Sequence, residues 1–329
     1  MRSQLRNLVN PVLVGAFASS DDALGAYHSV DSAGSQIFRF NDAVTPSDAA
    51  VSACRNTLAR ADVKASEIDF VISCTQTPDF NNPGLVSCLL AKLGGLHCPG
   101  IELRQMSVGP LYGLDLAEKL IRTRQARSVL VACTDLLSRY FANFDSHATV
   151  SEAARSARSV FADGSASFLV VDQEQSQYRQ NSDTFFVYKG GKLGATAVGR
   201  ETLWCKLPSA RQFPMRITAA DVREGRHYPE LSVQGFEAAI ANSALPFNFD
   251  GASCAVTHQV FDGMTEILCR KLQVSNLRFY DVFAKRGHIG AAGLPLAMSQ
   301  LPRCRKGDMV TLATIGAGIS WGYSRLEAL

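Results

Sequence analysis

Short apolar runs alternate with segments whose apolar positions recur every three or four residues, and the alternation continues along most of the 329-residue chain. The runs predict buried strands: VLVGAF up to Phe17, IDFVIS from Ile68 to Ser73, SVLVAC from Ser128 to Cys133, and the strand leaving FADGSASFLVVD. Between them lie helical patterns. One opens at Thr45-Pro46-Ser47-Asp48, a second is closed by Gly94-Gly95, and a third carries Leu111, Leu114, Leu116 and Leu120. The serine-rich stretch up to Asn41 carries few signals of either kind and is expected to be irregular. Strand alternating with helix predicts a mainly parallel sheet covered on both faces.

A polar segment from Gln173 to Ser182 separates this half from a second one with the same order of elements. FFVYKG reads as a strand, the remainder of Asp183 to Arg226 has no assignable role, and Pro229 to Asn242 is helical in period. CAVTH ends a strand at His258, a helix spans Phe261 to Lys271, and LRFYDVF reads as a strand. RGHIGAAG then turns into a helix, and MVTLATI is a last strand before the turn GAGISWG. The repeated order suggests an internal duplication, with halves at 1–175 and 176–329.

Composition narrows the class. With 47% hydrophobic and 19% charged residues the chain is expected to be globular with a large core. A net charge of +3, spread over scattered basic residues, gives no nucleic-acid surface. Nine cysteines occur singly, without metal spacing, and several sit in apolar runs, which predicts reduced thiols, no metal site and a cytoplasmic setting. No run approaches the length of a membrane helix. GSAS after Asp163 lacks the spacing of a dinucleotide loop, so no redox cofactor is expected.

Candidate chemistry gathers at the strand ends. The stretch Ile101 to Leu120 reads as strand, tight turn and helix with Ser107 at the turn, where unpaired N–H groups favour a developing oxyanion. Ser107 is a candidate nucleophile there, or a residue that caps the helix. His258 and His288 also follow predicted strands, where ligands collect in α/β sheets, and a serine nucleophile needs such a base. Taken singly, each histidine reads as a structural hydrogen-bonding residue. His28, His97, His147 and His227 lie in polar or loop contexts, and Met106, Tyr112 and Phe161 are read as core filling.

Six ordered segments (IDFVISCTQTPD, the stretch from IELRQMSVGP to ACTDLLSR, VFADGSASFLVV, VTHQVF, RGHIGAAGLPLAM and ATIGAGISWGYSRLE) resemble the thiolase-fold condensing enzymes, most closely the β-ketoacyl-acyl-carrier-protein synthase III group. The resemblance implies a duplicated, five-layered α/β/α/β/α fold, a homodimer, and acyl groups taken from coenzyme A or an acyl carrier protein, with no further cofactor. It places the family's nucleophilic cysteine at Ser107, its histidine at His258 and its asparagine at His288. It also implies a coenzyme-A-holding base at Arg155, an acyl-pocket residue at Asn82 across the dimer interface, and backbone oxyanion donors at Ser107 and in the turn Gly316, Ala317, Gly318. The family's early Trp and Arg around an R-T-G-I motif have no counterpart between Asp21 and Asn41.

Three readings follow. Serine is a weaker nucleophile than cysteine without a base, and its ester is less activated toward a carbanion. The first reading is therefore an acyltransferase that moves an acyl group through Ser107 to an O, N or C acceptor, in fatty-acid-like or polyketide biosynthesis. The second is a decarboxylative ketosynthase in which His258 and His288 stabilise the enolate. The third is a silent subunit paired with an active paralogue, against which the presence of both histidines argues.

Overall fold

The computed structural model describes residues 12–20, 24, 27–30, 36–141, 152–174, 185–196, 203–204 and 230–329. In its first half β1 (Val12–Ser19), β2 (Tyr27–Val30) and β3 (Gln36–Arg39) precede α1 (Pro46–Ala61), β4 (Phe70–Cys74), α2 (Leu85–Lys92) and β5 (Gly100–Leu103). Next come α3 (Gly109–Arg122), β6 (Ser128–Leu136), α4 (Glu152–Arg158) and β7 (Asp163–Asp172). The second half runs β8 (Phe185–Ala195), β9 (Leu203–Trp204), β10 (Glu230–Leu231), α5 (Val233–Asn242), β11 (Cys254–Val256) and α6 (Met264–Leu272). It finishes with β12 (Phe279–Tyr280), α7 (Phe283–Arg286), α8 (Gly293–Ser299), β13 (Met309–Gly316) and β14 (Ser320–Ala328).

Ten of these strands form one sheet in the order β12-β11-β13-β14-β8-β1-β7-β6-β4-β5. Read outward from the middle, each side repeats the other: β1, β7, β6, β4, β5 against β8, β14, β13, β11, β12. The directions repeat too, with two antiparallel junctions followed by two parallel ones on either side. The sides meet where Leu13, Val14 and Gly15 of β1 pair with Val187, Phe186 and Phe185 of β8. The sheet is therefore mixed, and the expectation of a mainly parallel one fails. Its physical reason lies in the connections: the short turn between β13 and β14 can join only antiparallel neighbours, and β1 and β8 each return against the last strand of their own half.

Strand alternation sorts the core into layers. Val12 and Val14 of β1 face one way with Ile72, Val131 and Val170, against Leu111, Leu114 and Ala117 of α3 and Leu294, Leu296 and Ala297 of α8. Leu13, Val71, Leu130 and Leu169 face the other way, against Cys54 and Leu58 of α1 and Leu85 and Leu89 of α2. On the other half Phe236 and Ile240 of α5 and Met264 and Leu268 of α6 cover Ile315 of β13. Helices α3 and α8 thus form a central layer between the two strand sets, with α1/α2 and α5/α6 outside. This is the α/β class and the layering expected.

Local chemistry explains the helix starts. Thr45 Oγ1 accepts the Asp48 N–H at 3.2 Å while Asp48 Oδ2 accepts the Thr45 N–H at 2.9 Å, a reciprocal cap ahead of Pro46. The sequence reading takes MVTLATI as the last strand and so misses β14, and it misses two further features. The serine-rich stretch holds the β2–β3 hairpin, which places His28 in a strand and buries Ile37 and Phe38; four-residue strands are too short for a period to stand out. LRFYDVF is β12 followed by α7, because Asp281 Oδ1 accepts the Phe283 N–H at 2.8 Å and turns the chain. His97 is exposed. His147, His227, Cys205, most of 183–226 and the boundary at 175/176 lie outside the described residues.

Among the described residues no helix is long and apolar enough to cross a membrane, and no group of three or more His, Cys, Asp or Glu could hold a metal ion. The eight cysteines described are free thiols.

Candidate active site

Two strand–turn–helix units cross at the centre of the molecule. Between β5 and α3 lies a single 3₁₀ turn, Met106–Val108, and between β12 and α8 lies another, Gly290–Ala292. The residue before each turn has nearly the same backbone: Gln105 at φ −110°, ψ 30° and Ile289 at φ −109°, ψ 27°. Each turn then starts with a left-handed residue, Met106 at φ 50° and Gly290 at φ 54°. Each ends on the glycine that starts the helix, Gly109 or Gly293. Ser107 is therefore the counterpart of Ala291. Methionine in the left-handed region costs about 1–2 kcal/mol, strain of the kind that collects at functional turns.

Ser107 does not cap α3. The capping position is Val108, which makes no side-chain cap, so the capping alternative for Ser107 is set aside. Ser107 is 3% exposed. Among the described residues its hydroxyl makes no hydrogen bond, and no side chain accepts from its N–H.

The neighbouring strands supply the partners. Thr75 N–H donates to the Leu103 carbonyl at 3.2 Å, and Thr257 N–H donates to the Tyr280 carbonyl at 3.0 Å, which matches β4 with β11 residue for residue. Cys74 lies beside Cys133, and Val256 beside Leu312. Two residues further on, Gln76 meets Asp135 in one half, and His258 meets Thr314 in the other. Asp135 Oδ1 accepts the Gln76 N–H at 2.5 Å, and Oδ2 accepts the Ala291 N–H at 2.7 Å. The Thr314 hydroxyl lies 2.5 Å from His258 Nδ1 and donates to the Ser107 carbonyl at 3.4 Å. Each half thus reaches across to the other half's turn. A carboxylate occupies the N–H of the Ala291 turn, and a hydroxyl holds the Ser107 turn by its carbonyl.

His288 sits on the strand-like bridge to Phe161: its N–H donates to the Val160 carbonyl at 2.7 Å, and its carbonyl accepts from Ala162 at 2.9 Å. Its Nδ1 lies 3.1 Å from the Gln259 carbonyl, and its ring centroid lies 5.7 Å from that of His258. Both imidazoles lie in one closely packed recess with Gln259, Phe283, Ile289 and Gly293. Burial holds His258 well below the usual histidine range, helped by the nearby His288, and brings His288 down to about 4. Both rings are neutral at pH 7. Burial also pushes Asp135 up to about 7, against the backbone N–H groups of Gln76, Ala291 and Thr77 and the Thr75 hydroxyl, which favour its ionised form.

The turn after β13 completes the arrangement. A Cβ on Gly316 would lie 3.0 Å from Val108 Cγ2 and 3.3 Å from Met106 Cβ, so only glycine lets this backbone come so close to the Ser107 turn. Ser107, His258, His288 and Gly316 therefore converge. Of the remaining candidates, Ala317 and Gly318 continue the turn after Gly316, Arg155 is exposed on α4, and Asn82 is exposed on the loop before α2. Thr314 and Asp135 were missed in the sequence. Their only signal is a polar residue near the end of an otherwise apolar strand, in VTLATI and in VLVACTD.

A family model described as 3-oxoacyl-[acyl-carrier-protein] synthase III matches residues 101–185, and its C-terminal companion matches residues 248–327. The chain belongs to this family. It is an enzyme of the acyl-transferring condensing class, with the thiolase fold. Among its relatives is the β-ketoacyl-[acyl-carrier-protein] synthase III of Caldanaerobacter subterraneus, 25% identical over 294 residues, covering 85% of this chain and 82% of that protein. The Nitratidesulfovibrio vulgaris synthase III is 27% identical over 298 residues, covering 89% and 86%. Among solved structures, synthase III (FabH) of Pseudomonas aeruginosa superposes with a TM-score of 0.72 at 21% identity, covering 96% of this chain and 98% of that one. Cerulenin-bound OleA of Xanthomonas campestris gives 0.77 at 18% identity, covering 97% and 98%.

Proposed function

We propose that the protein is an acyltransferase that takes an acyl group from a coenzyme A or acyl-carrier-protein thioester onto Ser107 and passes it to an acceptor. The observation that carries this reading is the single hydroxyl of Thr314, bonded to both His258 Nδ1 and the Ser107 carbonyl, which holds base and nucleophile in one frame. His258 Nε2 is buried with no hydrogen-bond partner, a base left open toward the site. It takes the Ser107 proton as Oγ attacks the thioester carbon, and returns it to the departing thiolate as the C–S bond breaks. The Ser107 N–H and the Gly316–Gly318 turn stabilise the oxyanion of the tetrahedral intermediate.

The exposed Arg155 would meet the phosphates of the carrier's pantetheine arm. Asn82 would shape the acyl pocket across a homodimer interface or across one with a paralogue. The chemistry needs no resident metal or redox cofactor, and the free thiols suit a cytoplasmic setting. The test is intact-protein mass spectrometry after incubation with acetyl-, propionyl- and longer acyl-CoA donors. An adduct in the wild type that is absent from Ser107→Ala and strongly reduced in His258→Ala is the expected result. No adduct with any donor, free or carried on an acyl carrier protein, refutes covalent transfer and favours the silent-subunit reading.

A further inference from the structure

The groups that hold the two imidazoles also fix where their protons sit. The Gln259 carbonyl can only accept, so the His288 nitrogen facing it, Nδ1 at 3.1 Å, carries the hydrogen. Thr314 has one hydroxyl proton. The Ser107 carbonyl can only accept, and with that proton in the 3.4 Å bond to it Thr314 Oγ1 accepts from His258 Nδ1–H across the 2.5 Å contact. A neutral imidazole has a single N–H, and burial keeps both rings neutral. Both Nε2 atoms are therefore bare lone pairs. The unpartnered, buried Nε2 of His258 agrees with this, because an orphaned lone pair is tolerated inside proteins more readily than an orphaned N–H.

The two rings stand 5.7 Å apart, within reach of one small substrate group. An enolate or a thioester carbonyl oxygen is an acceptor and would face two more acceptors. A hydroxyl or amino group is a donor and suits them. Resting on the acyltransferase reading above, we infer that the second substrate is a protic nucleophile, an alcohol or amine, and not a malonyl thioester undergoing decarboxylative condensation. In this half-reaction the acceptor's X–C bond forms and the C–Oγ ester bond breaks. The X–H proton passes to an Nε2 lone pair and from there to Ser107 Oγ, so the enzyme is regenerated without a further reactant.

Two measurements test this. The first is a two-bond ¹H–¹⁵N correlation spectrum of the ¹⁵N-histidine-labelled protein at pH 7, with the two rings assigned through His258→Gln and His288→Gln. The Nδ1–H pattern is expected for both, and an Nε2–H pattern for either overturns the inference. The second loads Ser107 with acetyl-CoA and chases with n-butanol, n-butylamine or malonyl-CoA. Discharge by the alcohol or amine at least tenfold faster than by water alone, without CO2 release from malonyl-CoA, is expected. CO2 release with a carbon–carbon product, or an adduct inert to both protic probes, overturns the inference while leaving acyl transfer through Ser107 standing. Failure to load Ser107 instead refutes the acyltransferase reading, and the spectra still decide the tautomers.

Discussion

The turn before α3 and the turn before α8 have the same backbone and opposite chemistry. Both begin with a left-handed residue, yet the first places a serine where the second places an alanine. The N–H of Ala291 is taken by Asp135, whereas no side chain among the described residues takes the N–H of Ser107. The contrast teaches that the frame alone does not make a site. One copy of the frame is closed by a buried carboxylate and supports the core; the other is left open and is steadied from behind by Thr314.

The sharpest way to break this comparison is to move the hydroxyl. Ser107→Ala should lower acyl transfer at least about 1,000-fold. Ala291→Ser, which plants the same group on the matching backbone, should gain no adduct by mass spectrometry. An acyl group found on residue 291 would show that the frame alone suffices.

Next in size is the closed copy itself. A Cβ on Gly290 would lie 2.1 Å from Asp135 Oδ2, in a backbone region that alanine adopts only under strain. Gly290→Ala should therefore cost about 3–4 kcal/mol, from left-handed strain plus a displaced charge-assisted bond. Urea unfolding should show a lower midpoint with an unchanged slope. An unshifted midpoint would remove Asp135 from the account.

The buried histidines give a smaller, pH-dependent effect. His288 is lowered to about 4 in the folded chain and titrates near 6.5 when unfolded, so the unfolded state binds more protons between those values. Its contribution to stability is complete above about pH 6.5 and is lost as the pH falls toward 4, at most on the order of 3 kcal/mol. His288→Gln should flatten the melting temperature against pH over that window. A profile as steep as the wild type's would place the titration elsewhere. The smallest expected change is Asn82→Phe, a shift of about threefold to tenfold in preference among acyl donors, the size of about one buried methylene. Unaltered preference would detach Asn82 from the acyl pocket.

Much of this organisation was legible in the sequence because strand ends carry it. Ser107, His258 and His288 each follow an apolar run, and the structure brings all three together. What stayed hidden depends on register. Nothing local in VLVACTD or VTLATI says that Asp135 will lie beside Gln76 while Thr314 lies beside His258. Strand β14 was hidden for another reason: Ser320, Gly322 and Ser324 point inward along with Leu326 and Ala328, so its buried face is not written in hydrophobic letters. On its own stretch Ser107 read more readily as a cap than as a nucleophile, until the geometry of Val108 excluded it.

The way each half closes on itself also sets a timetable for synthesis. β1 pairs with β7, about 150 residues later, and β8 pairs with β14 at the far end of the chain. At 5–20 residues per second a ribosome needs roughly 10–30 seconds to deliver β7 after β1 has emerged. Throughout that interval VLVGAF waits as an unpaired apolar strand, a natural client for chaperones.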